Sequence, residues 1–143
     1  MNEFPGCEEL INHPIVVLRD KKSKKSSKNY IIFKNPDRID ITKVIIDGCV
    51  IKSGLRCDYL LIVPDKKYYF IELKGNDIVQ AINQLEQTIL FVQQQRRINE
   101  KKCSISSYHF PAFDSSIQRK VKLFKAKNNA ILIIRNSKFE HSI

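Results

Sequence analysis

No apolar run in this chain approaches the roughly 20 residues a helix needs to span a bilayer, so a membrane-spanning segment is not expected. The opening residues, MNEFPGCEEL, lack both the basic n-region and the apolar h-region of a secretory signal, and the expected location is cytoplasmic. Cysteine is scarce and badly spaced for zinc: Cys7, Cys49, Cys57 and Cys103 contain no C-x-x-C pair. Without a secretion signal the expectation is reduced thiols, with Cys49 and Cys57 filling core space in strand-like runs. No internal repeat, linker or helix-turn-helix is visible, and residues 1–143 read as one domain.

What the chain has in excess is positive charge, a formal +10. A basic balance favours a polyanionic partner, and nucleic acid comes first. Composition tempers that reading. Lysine outnumbers arginine 18 to 7 and isoleucine outnumbers alanine 21 to 4, the bias of an AT-rich genome. The run KKSKKSSK places Lys21, Lys22, Lys24, Lys25 and Lys28 in one stretch without an apolar residue. It reads either as a grip on a phosphate backbone or as a plain solvated loop.

Along the chain, residues 3–12 read as a short helix bearing Glu8 and Glu9 and closed by Pro14. IVVLRD and NYIIFKN read as strands. Asp47-Gly48 between apolar runs predicts a hairpin, with Asp47 a turn former rather than a ligand. LRCDYLLIV then turns through PDKK into YYFIELKG, and apolar residues on both faces predict a sheet covered on both sides. From Asp77 the period becomes helical, with Ile78, Ile82, Leu85 and Ile89 on one stripe, Asp77 as N-cap, and Arg96 and Arg97 at the helix end. CSISSYHF reads as a strand, Asp114 caps a second helix through Ile117, Val121 and Phe124, and AILIIRN closes as a buried strand. The fold class is mixed α/β, a central sheet between helices.

Charges interrupt two of these apolar strands. Glu72 and Lys74 are two apart and leave the same face. Whether Asp58 joins them depends on the turn. A three-residue turn, Asp65-Lys66-Lys67, sets Asp58 opposite Lys74 and diagonal to Glu72; a two-residue turn at Asp65-Lys66 sends it to the other face. With the odd-length turn, two carboxylates and an ammonium converge. Such a set suits a hard divalent cation, Mg²⁺ or Mn²⁺, held by one or two carboxylates, water and substrate phosphate, and hence metal-assisted phosphodiester hydrolysis. The bland alternative is a surface hairpin in which Glu72 and Lys74 pair weakly in water; Tyr68 and Phe70 on the same face argue against it.

Asp58, then Glu72-Leu73-Lys74 and Gly75, then a helix bearing Gln80 and Gln84, resembles the PD-(D/E)XK nuclease superfamily, which includes type II restriction endonucleases and archaeal-type Holliday junction resolvases. The resemblance implies a restriction-endonuclease-like αβββαβ core, here a mixed sheet flanked by helices on both faces with an extra C-terminal helix and strand. It also implies Mg²⁺-dependent cleavage, with Asp58, Glu72 and the Leu73 carbonyl holding the metal and Lys74 as catalytic lysine. Glu8 or Glu9 would supply a further acid from the first helix, and Gln84 would orient a water or phosphate. Cys57 stands where the motif's name has proline, and the literal Pro64-Asp65 belongs to the turn.

His13, His109 and His141 are too scattered for a triad, and His109 is expected to pack against Phe110 and Phe113. Tyr68 and Tyr69 are expected to pack rather than stack on bases. With the resemblance, the expected function is a metal-dependent nuclease acting on DNA ahead of RNA, with a homodimer or partner subunit for targeting. The rival is a nuclease-fold module that binds nucleic acid or a protein without cutting.

Overall fold

The computed structural model describes residues 3–20, 29–74, 77–107, 114–136 and 139–143, and within these the side chains of Lys74, Asn136 and Phe139 lie outside the description. The lysines of 21–28 and the stretch holding His109, Phe110 and Phe113 also lie outside the described residues. The chain runs β1 (Glu8–Ile11), β2 (Ile15–Arg19), β3 (Tyr30–Lys34), β4 (Ile41–Ile45), β5 (Tyr59–Val63), β6 (Lys67–Lys74), α1 (Ile78–Gln93), β7 (Glu100–Ser107), α2 (Ser115–Asn128), β8 (Ile131–Asn136) and β9 (Phe139–Ser142). Six strands form a mixed sheet in the order β1-β4-β5-β6-β7-β8, and β2-β3-β9 form a second sheet. β4, β5 and β6 are successively antiparallel, while β6, β7 and β8 are parallel and joined by the two helices.

Strand alternation builds two cores. Val44, Leu60, Phe70, Cys103, Ile105, Leu132 and Ile134 face α1 and α2. Ile41, Tyr59, Leu61, Tyr69, Ile71 and Leu73 point the other way, onto Val16, Leu18, Ile31 and Phe33 of the small sheet. The large sheet is thus covered on both faces, but the expectation of helices on both is corrected: the second cover is a sheet. β2 and β3 bury every other residue, and β9 joins β3 in parallel. Tyr68 and Tyr69 are packing residues, 1% and 3% exposed. Both helices start at the expected caps, where Asp77 accepts from Gln80 N at 2.9 Å and Asp114 from Ile117 N at 2.8 Å.

Four further corrections have local causes. Residues 3–12 are not a helix: Pro5 and Gly6, the latter at φ +80°, break it, and Glu8–Ile11 satisfies the open edge of β4 as a strand. Asp47-Gly48 makes no hairpin. The chain after β4 loops through a single bridge, Asp47 to Ile51, and β4 pairs directly with β5. Cys49 leaves the core for the same reason, being joined by a disulfide to Cys7. α1 ends at Gln93, so Arg96 lies beyond it, its guanidinium 4.0 Å over the Phe4 ring.

The disulfide closes a loop of 42 residues, for which loop-closure entropy stabilises the fold by about 4 kcal/mol, with measured bridges commonly giving less. Cys57 and Cys103 remain as thiols, both buried, and burial pushes both pKa values up. A thiol reagent should therefore find no fast-reacting group in the native protein, two in the unfolded chain and four after reduction. Four thiols before reduction would remove the Cys7–Cys49 bridge from the account.

Candidate metal centre

The β5–β6 turn decides the site. Val63 pairs with Lys67, so the turn is Pro64-Asp65-Lys66, with Asp65 and Lys66 at φ +68° and +56°. Asn99 braces it, donating from Nδ2 to Asp65 O at 2.8 Å and from its backbone N to Lys66 O at 2.9 Å. The length is odd, as the chemistry required, but the turn sits one residue earlier than expected. Continued past Tyr59, the register would carry Asp58 toward Glu72 rather than Lys74, but the ladder stops there and Asp58 lies in a bend just beyond β5. Asp58 N donates to Ile71 O at 3.1 Å, just past the last ladder pair, Tyr59 with Ile71. Glu72 alternates with Phe70 onto the face that α1 covers.

Glu72 is 2% exposed. Asp58 is half-buried, and its Oδ2 accepts from Leu73 N at 2.8 Å, replacing a strand carbonyl where the β5 ladder ends. In an extended strand the N–H and C=O of a residue point the same way. The Leu73 carbonyl therefore opens on the side where Asp58 stands. Lys74 closes β6 opposite Ser107, and its side chain lies outside the described residues.

α1 fixes the segment leading into Asp58. Gln84 Nε2 donates to Arg56 O at 3.0 Å, and Thr88 Oγ1 accepts from Cys57 N at 2.8 Å while donating to Gln84 O at 2.8 Å. Gln84 Oε1 is buried and has no hydrogen-bond partner among the described residues, so it offers an acceptor to a donor such as water. Gln80 is exposed. From the other side, Ile46 N and Asp47 N both donate to Asp58 O, and the Asp47 carboxylate holds Arg56 Nε at 2.7 Å. Arg56, Asp47 and Thr88 are a supporting shell that the sequence did not announce. Only Thr88, a hydroxyl on the apolar stripe of α1, carries a local signal.

Negative potential collects here. Burial pushes the Cys57 thiol well up, and the charges of Glu72 and Asp58 push it further, against the lowering bond to Thr88. The Tyr59 hydroxyl is pushed up to about 12 by burial, then by Asp58, Asp20 and Asp47. Among the described residues no three His, Cys, Asp or Glu side chains gather as a ligand group. Two carboxylates and a carbonyl are nevertheless an all-oxygen set of the kind Mg²⁺ accepts when water and phosphate complete its shell.

Glu8 and Glu9 do not join the site. β1 lies two strands from β5, about 10 Å across at the usual spacing; Glu8 accepts from Phe4 N, and Glu9 is exposed opposite Lys43. The run 21–28 lies outside the described residues, but both its flanks are anchored. Tyr59 Oη donates to Arg19 O at 2.7 Å, and Ser106 Oγ donates to Asn29 Oδ1 at 2.6 Å. Tyr59 adjoins Asp58 and Ser106 is the last residue but one of β7, so the flanks meet the same end of the large sheet as the acid pair. No helix of the described residues is long and apolar enough to cross a membrane. Compared with family models, curated proteins and solved structures, the chain matches none.

Proposed function

We propose that this chain is a Mg²⁺-dependent nuclease acting on nucleic acid, with DNA the first substrate class to test. The observation that carries the reading is the Asp58 carboxylate bound to the Leu73 N–H at 2.8 Å where the β5–β6 ladder ends, next to the buried Glu72. The order β4-β5-β6-α1-β7 supports a restriction-endonuclease-like core. It supplies three antiparallel strands and then a parallel fourth across a helix, with β1 where the resemblance implies a leading helix. The carboxyl ends of parallel strands joined by helices are where α/β sheets take ligands, and the acid pair stands there.

In this reading Asp58, Glu72 and the Leu73 carbonyl hold the cation, which when bound acidifies water and offsets charge on the phosphoryl group. Burial of Glu72 keeps that charge in low dielectric, where a divalent partner counts for most. Gln84 Oε1 accepts from a water or substrate donor, and Lys74 stabilises the charge that builds on phosphorus. Purified protein incubated with DNA and RNA, single- and double-stranded, should cleave in Mg²⁺ or Mn²⁺ and not in chelator. Asp58→Asn keeps an acceptor for Leu73 N–H and should lose the activity with the fold intact. Activity surviving that change would sink the assignment.

The hydrogen bond from Leu73 N–H to Asp58 also supports a second reading, in which the acid serves strand closure and the chain is a nuclease-fold module that binds without cutting. That module would bind nucleic acid with no metal-dependent heat in calorimetry. A homodimer or a partner subunit would supply targeting in either case.

A further inference from the structure

The two helices cover the same face of the sheet, yet they differ in charge. α1, IVQAINQLEQTILFVQ, has no lysine or arginine, and its exposed positions include Gln80, Gln87 and Gln93. α2, SSIQRKVKLFKAKN, has no acid and carries Arg119, Lys120, Lys122, Lys125 and Lys127. A genome-wide lysine bias acts on the whole chain and does not separate two solvent-facing helices in this way. Helix-end electrostatics do not account for it either. Lys125 and Lys127 are in the last turn, where the macrodipole favours cations, but Arg119 and Lys122 lie upstream, beyond its reach.

Packing divides the basic residues by direction. Ile117, Phe124 and Asn128 are buried, and Lys127 reaches back to Glu86 of α1 at 2.6 Å. Arg119, Lys122 and Lys125 are exposed, and among the described residues no acid pairs with any of them. Lys125 shares a cleft with Lys101, whose acidic neighbour Glu100 is engaged by Lys102 at 3.6 Å. From Arg119 to Lys125 is about 9 Å of helix rise, a length over which a duplex carries roughly five phosphate charges. α2 follows β7 in the chain, and its last turn, with Lys125, lies beside the amino end of β7, at the opposite end of the sheet from Glu72.

We propose that the solvent-facing side of α2, through Arg119, Lys122 and Lys125, is a docking surface for the phosphate backbone of duplex DNA. This rests on the nuclease reading for its partner class, but its test does not depend on cleavage. Binding of the full chain to a short labelled duplex is followed by anisotropy in chelator across a salt series. The triple variant Arg119→Gln/Lys122→Gln/Lys125→Gln should bind more weakly by roughly tenfold at 0.1 M salt for each phosphate it no longer neutralises, with a salt slope shallower by about 0.9 for each such phosphate. Lys122→Arg/Lys125→Arg should bind as wild type, and unchanged thermal melting shows that the glutamine variant is folded.

A triple variant that binds like wild type, or a wild-type chain that binds anionic lipid vesicles and not the duplex, would overturn the proposal. Exposed Leu123 amid these cations, 65% accessible, makes the vesicle arm a real competitor. Weakened binding in the triple variant, with the wild type itself unable to cleave, would count against the nuclease reading and leave the surface standing. Cleavage intact with binding unchanged in the triple variant would do the reverse.

Discussion

Glu72→Gln is expected to lower the metal-dependent cleavage rate by about a thousandfold or more. Metal coordination supplies several kcal/mol of transition-state stabilisation, and each 1.36 kcal/mol is a factor of ten. Glutamine matches glutamate in volume, so the packing around a side chain 2% exposed persists and the protein still folds. A second readout separates ligand from strut. Mg²⁺ at a hundred times its dissociation constant should stabilise the wild-type chain by about 2.7 kcal/mol, a melting shift on the order of 10 °C for a domain of this size, and the variant should show no shift. Were Glu72 only half of a buried ion pair, removing its charge would cost roughly 3–5 kcal/mol with or without Mg²⁺. The wild type would then melt at the same temperature in Mg²⁺ and in chelator.

Phe70→Ala should cost about 3–5 kcal/mol, a large share of the roughly 5–15 kcal/mol that holds a typical domain folded. Phe70 is fully buried on β6, on the helix-covered face two residues before Glu72, with its ring 6.3 Å from that of Tyr68. β6 pairs antiparallel with β5 on one side and parallel with β7 on the other, so it cannot move to close the hole without dragging both neighbours. The urea midpoint should fall by more than a third, while Leu123→Ala, at an exposed site, should stay within about 0.5 kcal/mol of wild type. A loss below about 1 kcal/mol at Phe70 would mean that the helix-side core is not packed as described. Because Phe70 and Glu72 share a face, metal affinity should drop in this variant even under conditions where it stays folded.

Much of the arrangement was legible because it is local. The helical period after Asp77, the caps at Asp77 and Asp114, and the shared face of Tyr68, Phe70 and Glu72 need only neighbours in sequence. The parity of Asp58 was legible as a condition on one turn. Its register was not, because the turn takes in Pro64 and releases Lys67 to the strand, and the ladder then stops at Tyr59 with Asp58 in a bend beyond it. What failed depends on distant partners. β1 is four residues whose strand character comes from the open edge of β4, and β9 pairs with β3 across most of the chain. The Cys7–Cys49 bridge and the Arg56–Asp47 pair each join residues of the chain outside the strands and helices, and Thr88 reaches the Cys57 N–H beside Asp58 only once α1 has docked.

The central claim is that a divalent cation belongs between Asp58 and Glu72. A crystal of the protein soaked in Mn²⁺, with diffraction recorded at the manganese edge, tests it most directly. The account requires an anomalous peak within about 2.0–2.3 Å of both carboxylates and of the Leu73 carbonyl, close to the oxygen distances hard cations adopt. A map with no peak there, or with the Lys74 ammonium seated between the two carboxylates in its place, would contradict it.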